Sequence, residues 1–231
     1  MYNILICDDQ PDIVNALKIY LAPEGYRLFE AFNGKQALEL VQKEDIHLLL
    51  LDIMMPEMDG ITATAKIREF SNVPIIFLTA KSETEDMVLG LNVGADDYIT
   101  KPFVPVEVLA RVRSQLRRYA TLGSRASDDS RELVVGTITL NDTTKTATVD
   151  GEPISLTPIE YSILRLLMQN PGKVYSTKAL YEAVWQEAAL GSEGAVAVHI
   201  RHLREKIEIN PSEPRYLKVV WGQGYKMEGG R

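Results

Sequence analysis

The chain has 231 residues, 45% of them hydrophobic and 25% charged, a balance typical of one or two globular domains. Its apolar runs are strand-sized, far below the roughly 20 residues that cross a bilayer, so we expect no membrane partner and a cytoplasmic location. The formal net charge of −7 excludes a uniformly basic nucleic-acid binder.

The charge is unevenly distributed. Residues 1–119 contain 12 Lys and Arg against 18 Asp and Glu, a net charge of −6, whereas residues 120–231 contain 13 against 14, a net charge of −1. Only the second half is therefore a candidate for contact with nucleic acid. The one cysteine, Cys7, lies in an apolar run, and we interpret it as a buried thiol without redox function.

Residues 1–118 alternate five times between short apolar runs and amphipathic segments. This alternation predicts an α/β fold, with a doubly wound parallel sheet and helices on both of its faces. Pro11 and Pro105 suit the first turn of a helix. The predicted strands lie near 3–7, 26–31, 47–51, 75–79 and 97–100, and the predicted helices near 11–21, 34–43, 60–70, 83–92 and 105–119.

Polar side chains stand at the carboxyl ends of four predicted strands. Asp8 and Asp9 follow the first strand and Asp52 ends the third, while Thr79 and Lys101 end the fourth and fifth. Ligands of such sheets bind at these ends, so we expect one pocket. Two adjacent aspartates alone would equally suit a solvated loop, but the whole set is much more specific.

The carboxylates of this pocket are suited to Mg²⁺, which binds one or two carboxylates together with waters and phosphate oxygens. Asp9 and Asp52 are predicted as direct ligands, with Asp8 holding a metal-bound water. The backbone carbonyl of Met54 is predicted to supply a further oxygen. Asp52 is then the candidate nucleophile, because an aspartate can accept a phosphoryl group as an acyl phosphate.

The second half has a different pattern. Residues 120–132 are small and polar and are predicted to form a linker between a domain at 1–119 and a domain at 133–231. Residues 133–155 predict a small antiparallel meander, and Thr157-Pro158-Ile-Glu160 predicts a capped helix start. Three helices near 158–169, 177–186 and 193–207, followed by a hairpin at 216–227, give the outline of an α+β winged helix.

The third of these helices carries basic residues beside an apolar stripe. Arginine and histidine can bind phosphates or base edges, although a cationic helix face alone is more often simply solvated. The stripe predicted to face the core is Val196, Ile200, Leu203 and Ile207. The basic residues predicted to project elsewhere are His199, Arg201, His202 and Arg204.

Four motifs in the first half are typical of one protein family. They are Cys7-Asp-Asp9, Leu51-Asp-Ile-Met-Met-Pro-Glu-Met-Asp-Gly60, Leu78-Thr-Ala80 and Lys101-Pro-Phe103. Residues 1–119 thereby resemble the receiver domain of two-component response regulators. The resemblance implies a sensor histidine kinase as phosphoryl donor and a cis Lys101–Pro102 bond. It implies that Thr79 and Lys101 bind the phosphoryl oxygens and that Tyr98 is a switch residue, which turns inward as Thr79 moves.

Two further segments, Gly94-Ala-Asp-Asp-Tyr98 and 107–118, resemble the OmpR/PhoB subfamily. This likeness implies a homodimer on phosphorylation, although a solvated charged face is the usual interpretation of such residues. The pairs implied across its two-fold axis are Asp97 with Arg111 and Asp96 with Arg118. The lysine that would pair with Glu107 falls at Met87, so this pair is predicted to be lost.

The second half resembles the winged-helix effector of the same subfamily, through Leu156-Thr-Pro-Ile-Glu160, Val198-His-Ile-Arg-His-Leu-Arg204 and Val220-Trp-Gly-Gln-Gly-Tyr225. The likeness implies double-stranded promoter DNA as partner, with 193–207 as recognition helix and 216–227 as wing. The implied phosphate contacts are Trp185, His199, Arg201, Arg204 and Tyr225, with Val198 and His202 in the major groove. Small residues at 194, 195 and 197 and Trp221 in place of an arginine predict fewer direct base contacts.

Within the subfamily, Gln115-Leu-Arg-Arg-Tyr119 and Val220-Trp-Gly-Gln-Gly-Tyr-Lys226 resemble VanR-type regulators of glycopeptide resistance. The family therefore implies a regulator of transcription, with glycopeptide-resistance genes as candidate targets and RNA polymerase as a candidate partner. It implies no enzyme in the metabolic sense.

Two other functions compete with this interpretation. A Mg²⁺-dependent phosphatase of the haloacid dehalogenase type places a second aspartate two residues after its nucleophile, but Met54 occupies that position and cannot transfer protons. A constitutive DNA-binding protein with a vestigial receiver is the other alternative, and the complete set of pocket residues argues against it.

Overall fold

The computed structural model describes residues 1–80, 93–123, 132–186, 189 and 193–229. They form two compact units, Met1–Tyr119 and Ala120–Arg231. The helix predicted near 83–92, with Met87, and most of the predicted linker lie outside the described residues.

The first unit contains a five-stranded parallel sheet. The strands are β1 Asn3–Cys7, β2 Arg27–Ala31, β3 Leu48–Asp52, β4 Ile75–Ala80 and β5 Asp97–Lys101. Their order, β2-β1-β3-β4-β5, changes direction between β1 and β3, which confirms the predicted doubly wound fold. The carboxyl ends of these two strands flank the crevice at which such sheets bind ligands.

Four described helices pack on this sheet, and local capping explains where two of them begin. The side chain of Asn33 accepts the N–H of Gln36, and that of Asp59 accepts the N–H of Thr62. The last helix continues to Gly123, four residues beyond its predicted end at 119. The helices are α1 Pro11–Leu21, α2 Gly34–Lys43, α3 Gly60–Arg68 and α4 Pro105–Gly123.

The core of the first unit explains why β3 reads as a continuous apolar run. Leu48, Leu49, Leu50 and Leu51 are all fully buried because helices cover both faces of a parallel sheet. The first residue of helix α3, Gly60, packs directly against the backbone of Asp52 at the end of this strand. A Cβ atom at Gly60 would collide with the backbone oxygen of Asp52, so the chain needs glycine there.

The second unit begins with a four-stranded antiparallel sheet, followed by three helices and a two-stranded hairpin, which confirms the predicted winged-helix architecture. The predicted capping box is present at the start of the first of these helices, where Thr157 and Glu160 cap each other. The sheet is β6 Glu132–Val135, β7 Ile138–Asn141, β8 Thr146–Val149 and β9 Glu152–Ile154. The helices are α5 Pro158–Met168, α6 Thr177–Trp185 and α7 Ala195–Ile207, and the hairpin is β10 Leu217–Val220 and β11 Gly224–Met227.

Among the described residues, no helix combines the length and the apolar character that crossing a membrane requires.

Candidate functional site

The pocket of the first unit is built around one lysine and two buried carboxylates. Lys101, the last residue of β5, places its Nζ 2.7 Å from Oδ2 of Asp8 and 2.8 Å from Oδ1 of Asp52. Asp8 follows β1 and Asp52 ends β3, so parallel strands bring together groups that are distant in sequence. One ammonium group therefore neutralises part of the charge of two carboxylates that are buried beside each other.

Burial sets the protonation of this cluster. It raises the pKa of Asp52 to about 6, although the hydrogen bond and the charge of Lys101 oppose the rise. Burial pulls the pKa of Lys101 down, but its bonds to Asp52 and Asp8 outweigh this and leave its pKa above the ordinary value. Near pH 7, therefore, Asp52 is mainly ionised and Lys101 is charged.

The same carboxylates offer an all-oxygen set of ligands. Oxygen atoms of Asp8, Asp9 and Asp52 all lie within 4.8 Å of one another, and Asp9 is exposed while the other two are buried. Hard oxygen donors with one solvent-facing side suit Mg²⁺, which keeps several waters when it binds protein. The residues present therefore fit the predicted ion. The role of the Met54 carbonyl stays a prediction.

The two residues predicted to respond to phosphorylation lie on neighbouring strands. Thr79 is buried near the end of β4, and its hydroxyl donates to the backbone oxygen of Ala80 at 3.3 Å. Tyr98 is half-buried on β5, with the guanidinium carbon of Arg111 5.9 Å from its ring centre. Their proposed movements stay predictions, as does the binding of a phosphoryl group by Thr79.

One aspartate predicted at the dimer interface has partners within its own chain. Asp96 is fully buried, and its Oδ2 accepts from Arg68 Nη2 and from the backbone N–H of Ile75, each at 2.9 Å. The pairing of Asp96 with Arg118 across a two-fold axis stays a prediction. The contact of Asp96 with Arg68 at the end of α3 was not predicted from the sequence. Arg118 donates to the hydroxyl of Ser114 at 2.7 Å.

The other predicted pair forms within the single chain. Nη1 of Arg111 lies 2.8 and 2.9 Å from the two carboxylate oxygens of Asp97, and its Nε lies 3.1 Å from Glu107. Asp97 begins β5 and Arg111 lies on the adjacent α4, which explains the contact. An exchange of these partners between two chains stays a prediction.

In the second unit, α7, the predicted recognition helix, buries two of the residues expected to face DNA. His199 is 1% exposed, with its ring 5.7 Å from that of Trp185, and His202 Nδ1 lies 3.8 Å from a carboxylate oxygen of Glu160. The prediction that both histidines project away from the core is wrong. With Ala195, they form a second buried row at i, i+4 and i+7 beside the apolar stripe.

Trp185 is also fully buried, stacked on Tyr181 with ring centres 4.6 Å apart. The helix α6 thus turns the indole into the core, and the implied contact of Trp185 with a DNA phosphate stays a prediction.

Other predicted DNA contacts remain accessible. The side chain of Arg201 is 64% exposed and forms an ion pair with Glu205 at 3.0 Å, and Val198 is partly exposed on the same helix. Tyr225 is half-buried in β11, paired through its backbone with Tyr175. Their DNA contacts stay predictions.

Arg204 has a partner that the sequence did not predict. Its Nε and Nη2 donate to the backbone oxygen of Leu217 in β10, at 3.0 and 2.8 Å. Sequence reasoning also missed Glu208, a buried carboxylate just after α7 that binds backbone amides. No local signal marks either contact, because the groups that they bind belong to the main chain several residues away.

Comparison with known proteins agrees with this architecture. Residues 4–113 match the model of the response regulator receiver domain, and residues 151–227 match that of the transcriptional regulatory protein, C terminal. The chain is 42% identical over 227 residues to the regulatory protein VanR of Enterococcus faecium, covering 98% of both chains.

Two examples represent the solved structures that are similar over nearly the whole chain. One is a RitR mutant, with a TM-score of 0.80, 25% identity and full coverage of both chains. The other is the response regulator DrrB, described as an OmpR/PhoB homolog of Thermotoga maritima. It has a TM-score of 0.51 and 32% identity, and the alignment covers 99% of this chain and 100% of that one.

Proposed function

Because the chain belongs to the OmpR/PhoB-type response regulators, we propose that phosphorylation of Asp52 by a sensor histidine kinase promotes dimerisation and sequence-specific binding to promoter DNA. The observation that carries the proposal is the cluster of Asp52, Asp8 and Lys101 at the carboxyl edge of the sheet. Because the proposed partner is promoter DNA, the proposed location of the chain is the cytoplasm.

The chemistry follows from the protonation of Asp52. With a pKa of about 6, the carboxylate is mainly ionised near pH 7 and is available as a nucleophile. One of its oxygens attacks the phosphorus of the kinase phosphohistidine, the P–N bond breaks, and the imidazole leaves with the bonding electron pair and takes up a proton. Lys101, already 2.8 Å from Asp52, is placed to bind the new phosphoryl oxygens.

Asp8, Asp9 and Asp52 would hold Mg²⁺, which offsets the repulsion between these carboxylates and an incoming phosphoryl group. The chain itself orients the nucleophile. Asp52 is the last residue of β3, and Gly60 at the start of α3 packs against the backbone of Asp52. Thr79, at the same edge of the sheet, is the proposed second ligand of the phosphoryl group.

The output requires the second unit. Dimerisation of phosphorylated receivers would bring two winged helices together, and tethering raises the effective concentration of each for its own half-site. Binding therefore tightens without a new contact to DNA. The proposed dimer residues are Asp96, Asp97, Glu107, Arg111 and Arg118. Asp96 and Asp97 would have to exchange their partners within the chain for arginines of the second copy.

The VanR-type sequence motifs imply glycopeptide-resistance genes as candidate targets of this proposal, with RNA polymerase as a candidate partner. The 42% identity to the regulatory protein VanR is compatible with a regulator of this type. The competing phosphatase function lacks support in the same pocket. Met54 stands where a general acid is needed, and its exposed side chain is a thioether that cannot transfer a proton.

Phosphate incorporation tests the proposed chemistry. With acetyl phosphate and Mg²⁺, we expect the unchanged chain to take up about one phosphoryl group, because one nucleophile is available. Intact-protein mass spectrometry measures the uptake. Asp52→Ala should take up none, whereas Asp45→Ala, which removes an exposed carboxylate of the same unit, should behave like the unchanged chain.

Three results would speak against the proposal. Uptake by Asp52→Ala equal to that of the unchanged chain would exclude Asp52 as the acceptor. No uptake by the unchanged chain would favour a constitutive DNA-binding protein with a vestigial receiver. Steady turnover of a small phosphate ester would favour the phosphatase.

A further inference from the structure

One buried carboxylate holds the connection between α7 and the hairpin of β10 and β11. Glu208 follows the last residue of α7 and accepts three backbone N–H groups, from Arg215 at 2.6 Å, Tyr216 at 2.9 Å and Leu217 at 2.8 Å. Hydrogen bonds to an ionised acceptor are the strong ones. Because Leu217 begins β10, Glu208 fixes the point at which the hairpin starts.

Arg204, a residue of α7 itself, also binds Leu217. Arg204 donates twice to the backbone oxygen of Leu217, so both backbone polar groups of Leu217 bind side chains from the end of α7. The other strand of the hairpin is also anchored. Tyr225 and Tyr175 exchange two backbone hydrogen bonds of 2.9 Å, and Gly224 leaves no room for a Cβ against the backbone of Tyr175.

We propose that Glu208 is a positioning residue for DNA binding, which sets the place of the hairpin relative to α7 so that both engage one duplex. This inference rests on the proposed function, because it requires α7 and the hairpin to bind DNA. The segment 215–227 contains Arg215, Lys218 and Lys226 and no acidic residue. A displaced hairpin would therefore withdraw positive charge from the phosphates.

Charge alone predicts the opposite effect of removing Glu208. Neutralising an acidic side chain near a DNA-binding surface reduces repulsion from the phosphates and should tighten binding. Positioning predicts weaker binding, because an amide replaces one of the carboxylate oxygens with a donor that cannot accept an N–H. The sign of the change thus separates the two effects.

The test uses the full-length phosphorylated chain and a DNA site selected by it from random sequence. We expect Glu208→Gln to lower the affinity by about tenfold and to make its salt dependence shallower, since fewer phosphates are contacted. The matched control, Glu213→Gln, removes the same charge from an exposed position in the same connection and should leave the affinity equal or slightly higher. Footprinting should show protection by α7 retained and protection of the flanking positions lost.

A folding defect is distinguished by the buried Trp185. The fluorescence of Trp185 should resist quenching by acrylamide in a folded variant. The variants are measured with the additional substitution Trp221→Phe, because Trp221 is 88% exposed and its quenching would mask that of Trp185. If Glu208→Gln does not fold, Glu208→Asp carries the test, with the charge kept, the reach shortened and an intermediate affinity expected.

Two outcomes would overturn the inference in different ways. Binding by Glu208→Gln that equals or exceeds that of the unchanged chain would overturn the positioning role alone. Absence of DNA binding by the unchanged phosphorylated chain would overturn the proposed function, and the inference would fall with it.

Discussion

In the absence of divalent cations, Asp52→Asn is expected to stabilise the first unit by about 3 kcal/mol at pH 8, and this gain should vanish towards pH 4. Burial raises the pKa of Asp52 from 3.8 to about 6, so the folded state binds its proton more tightly than the unfolded state does. The stability due to that proton is fully present below pH 3.8 and is lost as the pH rises through 6. Asparagine carries no charge at any pH, so Asp52→Asn does not lose this stability as the pH rises.

Hydrogen–deuterium exchange in β3 is the suitable measurement, because both tryptophans lie in the second unit and their fluorescence does not follow the first. Asp45→Asn, at an exposed position, should change the exchange free energy little at any pH. Mg²⁺ should reduce the difference in stability between Asp52→Asn and the unchanged chain, because it stabilises the unchanged chain. A pH-independent effect of Asp52→Asn would show that the buried charge does not limit stability.

Lys101→Met should destabilise the first unit by about 3 kcal/mol at pH 8 without divalent cations, since it leaves two buried carboxylates without their ammonium partner. Lys101 is charged throughout the range from pH 5 to 8, because its pKa is raised above its ordinary value. The loss should therefore be smaller at pH 5, where protonation of Asp52 removes one of the two charges.

The same exchange experiment measures this loss, with Lys35→Met as the matched control. Lys35 forms an exposed ion pair with Glu57 at 3.1 Å, and such pairs contribute only about 0–1 kcal/mol. If Lys101→Met were as stable as the unchanged chain at pH 8, the ammonium would not be what holds the two carboxylates together.

The pocket was predictable from the sequence because the first unit is a parallel sheet. Each pocket residue follows an apolar run, and in a doubly wound sheet all such positions meet at one edge. The partners of Asp96 were not predictable in the same way. Its ion pair with Arg68 depends on how α3 ends beside the loop before β5, a long-range arrangement that no local pattern records.

The second unit shows the limit of periodicity in a helix. The apolar stripe of α7 correctly indicated one buried row, but His199 and His202 belong to a second row that their polarity concealed. A histidine is compatible with either environment, so its residue type does not decide between them. Glu208 was missed for a related reason, because its three donors are backbone amides seven to nine residues further along the chain.

The central claim is that phosphorylation of Asp52 controls DNA binding, and a gel-shift titration tests it most directly. The unchanged chain, Asp52→Ala and Asp45→Ala are each titrated against the selected site with and without a phosphoryl donor and Mg²⁺. We predict that the donor tightens binding by about tenfold or more for the unchanged chain and for Asp45→Ala, and has no effect on Asp52→Ala. Equal stimulation of Asp52→Ala by the donor would contradict the claim.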